Sequence, residues 1–250
     1  MISEFESLGC KAGLFPLPYL GQIEKDLDIL KTHGSFPYRY FDGRFFKKFD
    51  FSFSLANSDF RSIIIIASPR FVTDIYFYLE DGILRTRVPA TYTNCWIDKN
   101  ISRILDKHFK RNELVPVRND LPLKSIAARS GIAKYGKNGL CFIDGMGSYI
   151  MLNAYYSKIR PASNILYDYQ LMEDCTDCRQ CIDNCPNGCI DEKIPLIDIS
   201  RCFTFLNEVK KENHIHGKDV LKDTLLGCNI CQESCPLNKD FISIKRWSRC

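Results

Sequence analysis

Eight cysteines in the C-terminal third of the chain have the spacing of iron–sulfur ligands. Four form the run C-x2-C-x2-C-x3-C-P over Cys175–Pro186, three form C-x2-C-x3-C-P over Cys228–Pro236, and Cys202 lies between these runs. Thiolates are soft ligands that suit iron–sulfur clusters, and the first run is the ligand pattern of two-cluster bacterial ferredoxins. The pattern therefore predicts two 4Fe–4S clusters that carry electrons.

The fourth cysteine of such a run binds the cluster of the other half rather than its own. This exchange predicts the following ligand sets. The first cluster takes Cys175, Cys178, Cys181 and Cys235, and the second takes Cys185, Cys202, Cys228 and Cys231. Structural zinc is the alternative, since C-x2-C pairs also bind zinc, although the complete four-cysteine run is unusual for a zinc site. Cys189 has no ligand spacing, and a small residue would serve in its place.

The composition is that of an ordinary globular protein. The chain has 250 residues, 45% of them hydrophobic and 26% charged, with 13 cysteines. Cysteines at metal-ligand spacing argue against a disulfide framework and indicate a reducing compartment. The most apolar run, Ile63–Ala67, is far too short to cross a bilayer. We therefore expect a cytoplasmic protein without membrane contact.

Hydrophobic patterning predicts a domain of mixed α/β or α+β type before the cysteines. Residues 61–68, 71–79 and 83–88 have strand patterns, and the last two are joined by the turn-forming Asp81-Gly82. Apolar residues recur at helical spacing over residues 96–109, and Pro122 and Gly131 are placed to begin and end another helix. We place the sheet domain at residues 1–168 and the cluster domain at 169–250, with Trp247–Cys250 as a tail.

Three stretches together resemble the epoxyqueuosine reductase family. The segment Ala127–Asn138 (AARSGIAKYGKN) is similar to the family pattern A-x-R-[AS]-G-x-x-x-x-G-K-[NH], and Gly147–Tyr149 is similar to its G-S-[WY]. The order of the cysteines through Leu226–Asn238 (LGCNICQESCPLN) is also that of the family. The resemblance covers about residues 60–240. The family's helical C-terminal repeat domain is not found in this sequence, so we expect a short form.

The resemblance implies an α+β fold, with a nitroreductase-like mixed sheet domain followed by a two-cluster, bacterial-ferredoxin-like domain. It implies a cobalamin-dependent oxidoreductase of tRNA queuosine modification, in which the clusters reduce cobalt to cob(I), which then reduces the substrate. Reduced ferredoxin or flavodoxin would supply electrons, and tRNA is a candidate partner. The residues that would line the cobalamin site are Gly131, Tyr135, Gly136, Lys137, Ser148 and Tyr149.

The proton donor of the resemblance does not transfer directly. The family's aspartate precedes the Ala127–Asn138 segment, and an ungapped match places Val117 there. Asp120 is the predicted catalytic residue if the loop is shifted. One alternative function is a ferredoxin-type electron-transfer or corrinoid-activating protein without a substrate of its own. Another is an RNA-binding module with a structural cluster, suggested by the net basic charge of residues 1–170.

Overall fold

The computed structural model describes residues 1–32, 49–53, 59–93, 96–117, 121–192, 197–208, 227–242 and 244–249. The helices are α1 (Ile2–Ser7), α2 (Leu20–Thr32), α3 (Trp96–His108), α4 (Leu123–Arg129), α5 (Gln180–Asp183), α6 (Phe203–Glu208) and α7 (Ile230–Glu233). The strands are β1 (Lys11–Pro16), β2 (Ser62–Pro69), β3 (Val72–Leu79), β4 (Gly82–Val88), β5 (Leu114–Pro116), β6 (Lys134–Tyr135), β7 (Cys141–Phe142), β8 (Ile150–Ser157) and β9 (Ile244–Arg249).

The main sheet has four strands in the order β1-β2-β8-β5, and every neighbouring pair is antiparallel. Strand β2 is central, and its register with β8 runs from Ser62 opposite Ser157 to Pro69 opposite Ile150. Neighbours in this sheet are far apart in the sequence, so its order depends on long-range pairing. The predicted mixture of helices and strands is confirmed as an α+β fold.

Strand β2 is buried on both faces because each face of the sheet carries its own hydrophobic core. Ile63 and Ile65 belong to a core that includes residues of α2 and α4. Ile64 and Ile66 point the other way, into a core with residues of α1 and α3. Successive strand residues face opposite sides, and this explains why the run is apolar throughout. The prediction of a doubly buried strand is confirmed.

A second sheet has the order β4-β3-β9. The predicted hairpin forms, with Gly82 at the turn in a backbone conformation of φ +142° that favours glycine. Residues 247–249 of the predicted C-terminal tail are instead the end of β9, which pairs in parallel with β3 from Val72 opposite Ile244 to Phe77 opposite Arg249. The tail prediction was wrong because an edge strand is selected by its partner's free backbone groups, which local sequence does not reveal.

The segment before the first cysteine is hydrogen-bonded to the sheet domain. The Tyr135 N–H donates to the Gln170 carbonyl at 2.8 Å, and the Met172 N–H donates to the Tyr135 carbonyl at 2.8 Å. The short strand β6 therefore fixes the position from which the cysteine-rich segment begins. No helix in the described ranges is long and apolar enough to cross a membrane.

Candidate metal centre

Four cysteines from two distant segments line one cavity, here called cavity one. They are Cys175, Cys178, Cys181 and Cys235. Cys175 ends a single 3₁₀ turn, Cys181 lies in α5, and Cys235 comes two residues after α7. Three of the four thiols are buried, and Cys178 is half-buried. These are the residues predicted to hold the first cluster, including the cysteine taken from the other half of the repeat.

The turn between β6 and β7 forms the opposite wall of cavity one. Lys137 is buried, and its ammonium group donates to the Thr176 carbonyl at 2.9 Å and the Cys178 carbonyl at 3.1 Å. The Asn138 side-chain amide donates to the Cys231 carbonyl at 3.3 Å. One turn of the sheet domain therefore contacts the backbone of both cysteine runs and positions them relative to each other.

A second cavity, here called cavity two, contains the other four predicted ligands and one cysteine that was not predicted. The cysteines in its lining are Cys185, Cys189, Cys202, Cys228 and Cys231. Pro89, Tyr92 and Leu140 contribute to its wall from the sheet domain. The sequence signal for Cys189 was only its residue type, because its spacing matches no ligand pattern.

Cys189 is 5% exposed, and its sulfur lies 3.3 Å from the Cys185 sulfur. The hydrogen bond from the Cys189 thiol lowers the pKa of Cys185 to about 5, although burial opposes the shift. The same thiol, through its contact with Cys202, also lowers the pKa of Cys202. Lower pKa values favour the thiolate, which is the form that binds metal.

Desolvation shifts the pKa of other cluster-region thiols, among them Cys181 and Cys228, in the other direction. Burial raises the pKa of Cys181 and of Cys228 to about 11 in each case. A buried thiolate needs a compensating positive charge, and iron supplies it when it displaces the proton. The four thiols of each predicted set surround a cavity, whereas no three His, Cys, Asp or Glu side chains in the described ranges are grouped to hold a single ion. The donor chemistry and arrangement fit two clusters, while the individual ligand assignments stay predictions.

Neither cavity one nor cavity two brings together the residues predicted to line a cobalamin site. Gly131 ends the helix as predicted, with φ +79°, but a Cβ at this position would lie 2.8 Å from the Tyr167 ring. Tyr135 contacts the Tyr169 ring, and its hydroxyl lies 3.4 Å from that of Ser125. The backbone that was expected to approach a ligand therefore contacts side chains of the chain itself.

Gly136 and Lys137 line cavity one, where Phe142 fills the space beside the glycine. Ser148 is buried against the cluster region, because its hydroxyl accepts hydrogen bonds from Asn238 at 2.8 Å and Gln232 at 3.1 Å. Tyr149 is 1% exposed, and its hydroxyl has no hydrogen-bond partner among the described residues. Two of the six predicted residues thus line cavity one and Ser148 contacts the cluster region, while the cobalamin site stays a prediction.

Two residues were considered for the position of the catalytic acid, and the structure describes one of them. Val117 packs against the main core, and its N–H donates to the Ala154 carbonyl at 2.9 Å. Its apolar side chain cannot donate a proton. Asp120, the predicted alternative, lies outside the described residues.

The cysteine-rich segment matches a known domain model. Residues 174–238 match the family described as "4Fe-4S double cluster binding domain". The chain therefore contains a domain for two 4Fe–4S clusters, as predicted, and the matched range includes all the predicted ligands.

Sequence comparison finds epoxyqueuosine reductases. The protein of that name from Bacillus anthracis is 29% identical over 120 residues, which is 48% of this chain and 30% of that protein. The epoxyqueuosine reductase of Bacillus subtilis is 31% identical over 120 residues, with the same two shares. Over about half of its length, the chain is similar in sequence to epoxyqueuosine reductases. The family resemblance is thus confirmed, although the matches span about a third of those curated relatives.

Solved structures agree at the level of the fold. The epoxyqueuosine reductase of Streptococcus thermophilus aligns with a TM-score of 0.62 at 22% identity, over 95% of this chain and 65% of that one. An epoxyqueuosine reductase solved with an epoxyqueuosine-modified tRNA-Tyr stem loop aligns with a TM-score of 0.65 at 20% identity, over 97% of this chain and 65% of that one. The chain therefore has the fold of about two thirds of each of these two solved chains.

Proposed function

We propose that this chain is a two-cluster iron–sulfur oxidoreductase that reduces the epoxide of epoxyqueuosine in tRNA. The observation that carries the proposal is the double cluster domain at residues 174–238, which is hydrogen-bonded to a sheet domain of the epoxyqueuosine reductase fold. Lys137 and Asn138 donate these hydrogen bonds to the cysteine runs. The substrate comes from the names of the relatives and from the tRNA stem loop bound to one of them. Such a protein would act in the cytoplasm.

The chemistry requires electrons in pairs, whereas a cluster transfers them singly. Reductive removal of an epoxide oxygen as water takes two electrons and two protons. Two clusters supply that pair when a donor such as reduced ferredoxin or flavodoxin recharges them. Cys181 of cavity one packs in a single apolar cluster with Cys185 and Cys231 of cavity two. This contact supports a short path for electrons between the clusters.

The proton donor is proposed to be Asp120, on the basis of its position before the Ala127–Asn138 segment. Replacement of Asp120 by Asn should abolish epoxide reduction and leave the iron content unchanged. If Asp120→Asn protein keeps full activity, another group supplies the proton.

Cobalamin is implied by the family resemblance, but no step of this proposal runs through it. Gly131 and Tyr135 contact Tyr167 and Tyr169 respectively. Side chains of the chain itself thus lie beside two residues that were predicted to line the corrin ring. This observation favours a second candidate function, in which the chain passes electrons to a partner and has no substrate of its own. The two candidates differ in whether the isolated chain forms queuosine.

The deciding experiment supplies anaerobically purified protein with reduced ferredoxin and with tRNA that contains epoxyqueuosine, in the presence and absence of cobalamin. Mass spectrometry of the digested tRNA measures queuosine, and the absorption spectrum shows whether a corrinoid binds. Queuosine formation that depends on the clusters supports the reductase. A parallel assay adds a corrinoid protein to the reduced chain. Rapid oxidation of the clusters in that assay, together with no queuosine under either condition of the first, would overturn the reductase in favour of the electron-transfer candidate.

A further inference from the structure

Cavity two contains one thiol more than a cluster needs. Cys189 lies within hydrogen-bond distance of the Cys185 sulfur, at 3.3 Å, and its own backbone N–H donates to the same sulfur at 3.4 Å. Two sulfurs in such contact cannot each reach a different iron of a cluster without moving apart. Cys189 is therefore placed as a neighbour of a ligand rather than as an additional ligand.

A second polar group faces the same cavity. Asn229 is 4% exposed and contributes to the lining of cavity two. Neither atom of its side-chain amide has a hydrogen-bond partner among the described residues. A buried amide without a partner costs free energy. The NH2 group of Asn229 therefore needs a hydrogen-bond acceptor in the cavity that it faces. The sulfides and thiolates of a cluster are such acceptors.

We propose that Cys189 and Asn229 are hydrogen-bond donors that raise the reduction potential of the second cluster. The inference rests on the proposed function in one respect, namely that cavity two holds a 4Fe–4S cluster. Reduction adds one electron, and therefore one negative charge, to the cluster. A donor beside its sulfurs stabilises this charge, and hydrogen bonds to the sulfurs are among the factors that set cluster potentials. Cys189 acts through the Cys185 sulfur and is thus a positioning and tuning residue.

The test is a dithionite titration of the anaerobically purified protein, followed by electron paramagnetic resonance. Cys189→Ala should lower the midpoint potential of the second cluster and leave that of the first unchanged. Cys189→Ser should keep most of the wild-type potential, since a hydroxyl can still donate to the Cys185 sulfur. Asn229→Leu, which removes the amide at similar volume, should also lower the potential. Cys141→Ala removes a buried thiol outside both cavities and should shift neither midpoint.

Electron–nuclear double resonance of the reduced wild-type protein provides evidence that needs no variant. The exchangeable proton of the Cys189 thiol should couple to the second cluster, disappear in D₂O and be missing from Cys189→Ala protein, whereas that variant should keep the signal of the backbone N–H that donates to the same sulfur. Absence of the thiol proton from the wild-type spectrum would overturn the inference. An unchanged second-cluster midpoint in Cys189→Ala would also overturn it, as would a loss of iron that makes Cys189 a ligand.

Iron and sulfide analysis of the wild-type protein separates this inference from the proposed function. A protein that holds both clusters and forms queuosine, but whose second midpoint does not respond to Cys189→Ala, refutes the tuning role alone. A protein that holds both clusters with the expected midpoint shifts, but forms no queuosine, refutes the reductase function alone. A wild-type protein with a single cluster refutes the basis of both.

Discussion

The sheet domain and the cluster region bury different kinds of groups. In the sheet domain, β2 lies between two hydrophobic cores, and Ile63 and Ile65 are fully buried. In the cluster region, α5 and α7 have four residues each, and the buried members of the local apolar cluster are Cys181, Cys189 and Ile190. Apolar burial stabilises the first region at about 25 cal/mol per Å². The second region buries little apolar surface and gains little stability in this way.

This difference indicates that the two regions depend on different sources of stability. Helices of one turn are not stable by themselves in water, and buried thiolates without metal are costly. Binding of the clusters must therefore supply folding free energy to the cysteine-rich segment. The sheet domain needs no metal for its packing. Four predictions, ordered by the size of the expected effect, test this distinction.

Removal of iron should have the largest effect, and it should be confined to one region. After anaerobic chelation, amides of α5 and α7 should lose nearly all protection in hydrogen exchange, because the bonds that hold these short helices are gone. Amides of β2 and β8 should keep their protection. Reconstitution with iron and sulfide is the control and should restore the cluster region. Persistent protection of α5 and α7 without iron would contradict the comparison.

Cys235→Ser should affect one cluster rather than the whole cluster region. Because Cys235 lines cavity one with Cys175, Cys178 and Cys181, we expect iron to fall from about eight to about four atoms per chain. Iron analysis with electron paramagnetic resonance measures the loss. Cys10→Ala, in the core beside α1 and α3, is the matched control and should keep all the iron. Loss of the second cluster alone would refute the predicted exchange of ligands.

Lys137→Met should weaken the contact between the two regions. Its ammonium group donates to the Thr176 and Cys178 carbonyls, and loss of these charged donors should cost about 3 kcal/mol. Urea unfolding of the anaerobic protein, followed by cluster absorbance, measures the change. Lys134→Met is the control, because the partly exposed Lys134–Glu173 ion pair at 3.7 Å should contribute less than about 1 kcal/mol. An equal loss of stability in both variants would show that Lys137 makes no specific contribution to the contact between the two regions.

Asp74→Asn should have the smallest effect, and it should depend on pH. Burial alone would raise the pKa of Asp74, but hydrogen bonds from Arg87 and Arg85 outweigh it and hold the pKa below its ordinary value. The carboxylate therefore contributes stability above its unfolded pKa of about 3.9, and this contribution is lost as the pH falls through the lower folded pKa. Arg87 also donates to Glu233 at 2.9 Å, so the pair links β4 to α7.

We expect Asp74→Asn to destabilise β3 and β4 by about 1 kcal/mol at pH 7 and at pH 5, because Asn retains part of the hydrogen bonding. Near pH 3 the difference from the wild-type protein should shrink. Hydrogen exchange of the β3 and β4 amides at these pH values measures it. A difference that grows on acidification would show that the sign of the pKa shift is wrong.

Local patterns predicted much of the fold and most of the candidate site. The apolar run in β2, the turn at Gly82 and the helix bounded by Pro122 and Gly131 formed as predicted, because each depends on neighbouring residues. The double cluster domain was also predicted correctly, since a cluster imposes its ligand spacing on the sequence. Strand β9 was missed, because its pairing with β3 joins segments about 170 residues apart.

Gly131 shows a related limit at the level of side chains. Glycine at position 131 is explained by its positive φ, yet the space beside it is occupied by Tyr167. A glycine in a sequence motif indicates that the backbone lies close to another group, but it does not indicate whether that group is a ligand or a side chain. Cys189 is the converse case, since no spacing rule marks it and only the fold brings its sulfur to that of Cys185.

By itself, the sequence determined that this protein carries two clusters and which family it is related to, because cluster ligands and their flanking residues are local and regular. Only the tertiary structure decided what surrounds each cluster. Lys137 and Asn138 reach the cysteine runs from a turn of the sheet domain, and Cys189 and Asn229 converge on cavity two from opposite halves of the repeat. Such contacts depend on how distant segments pack, and packing is a property of the folded chain as a whole.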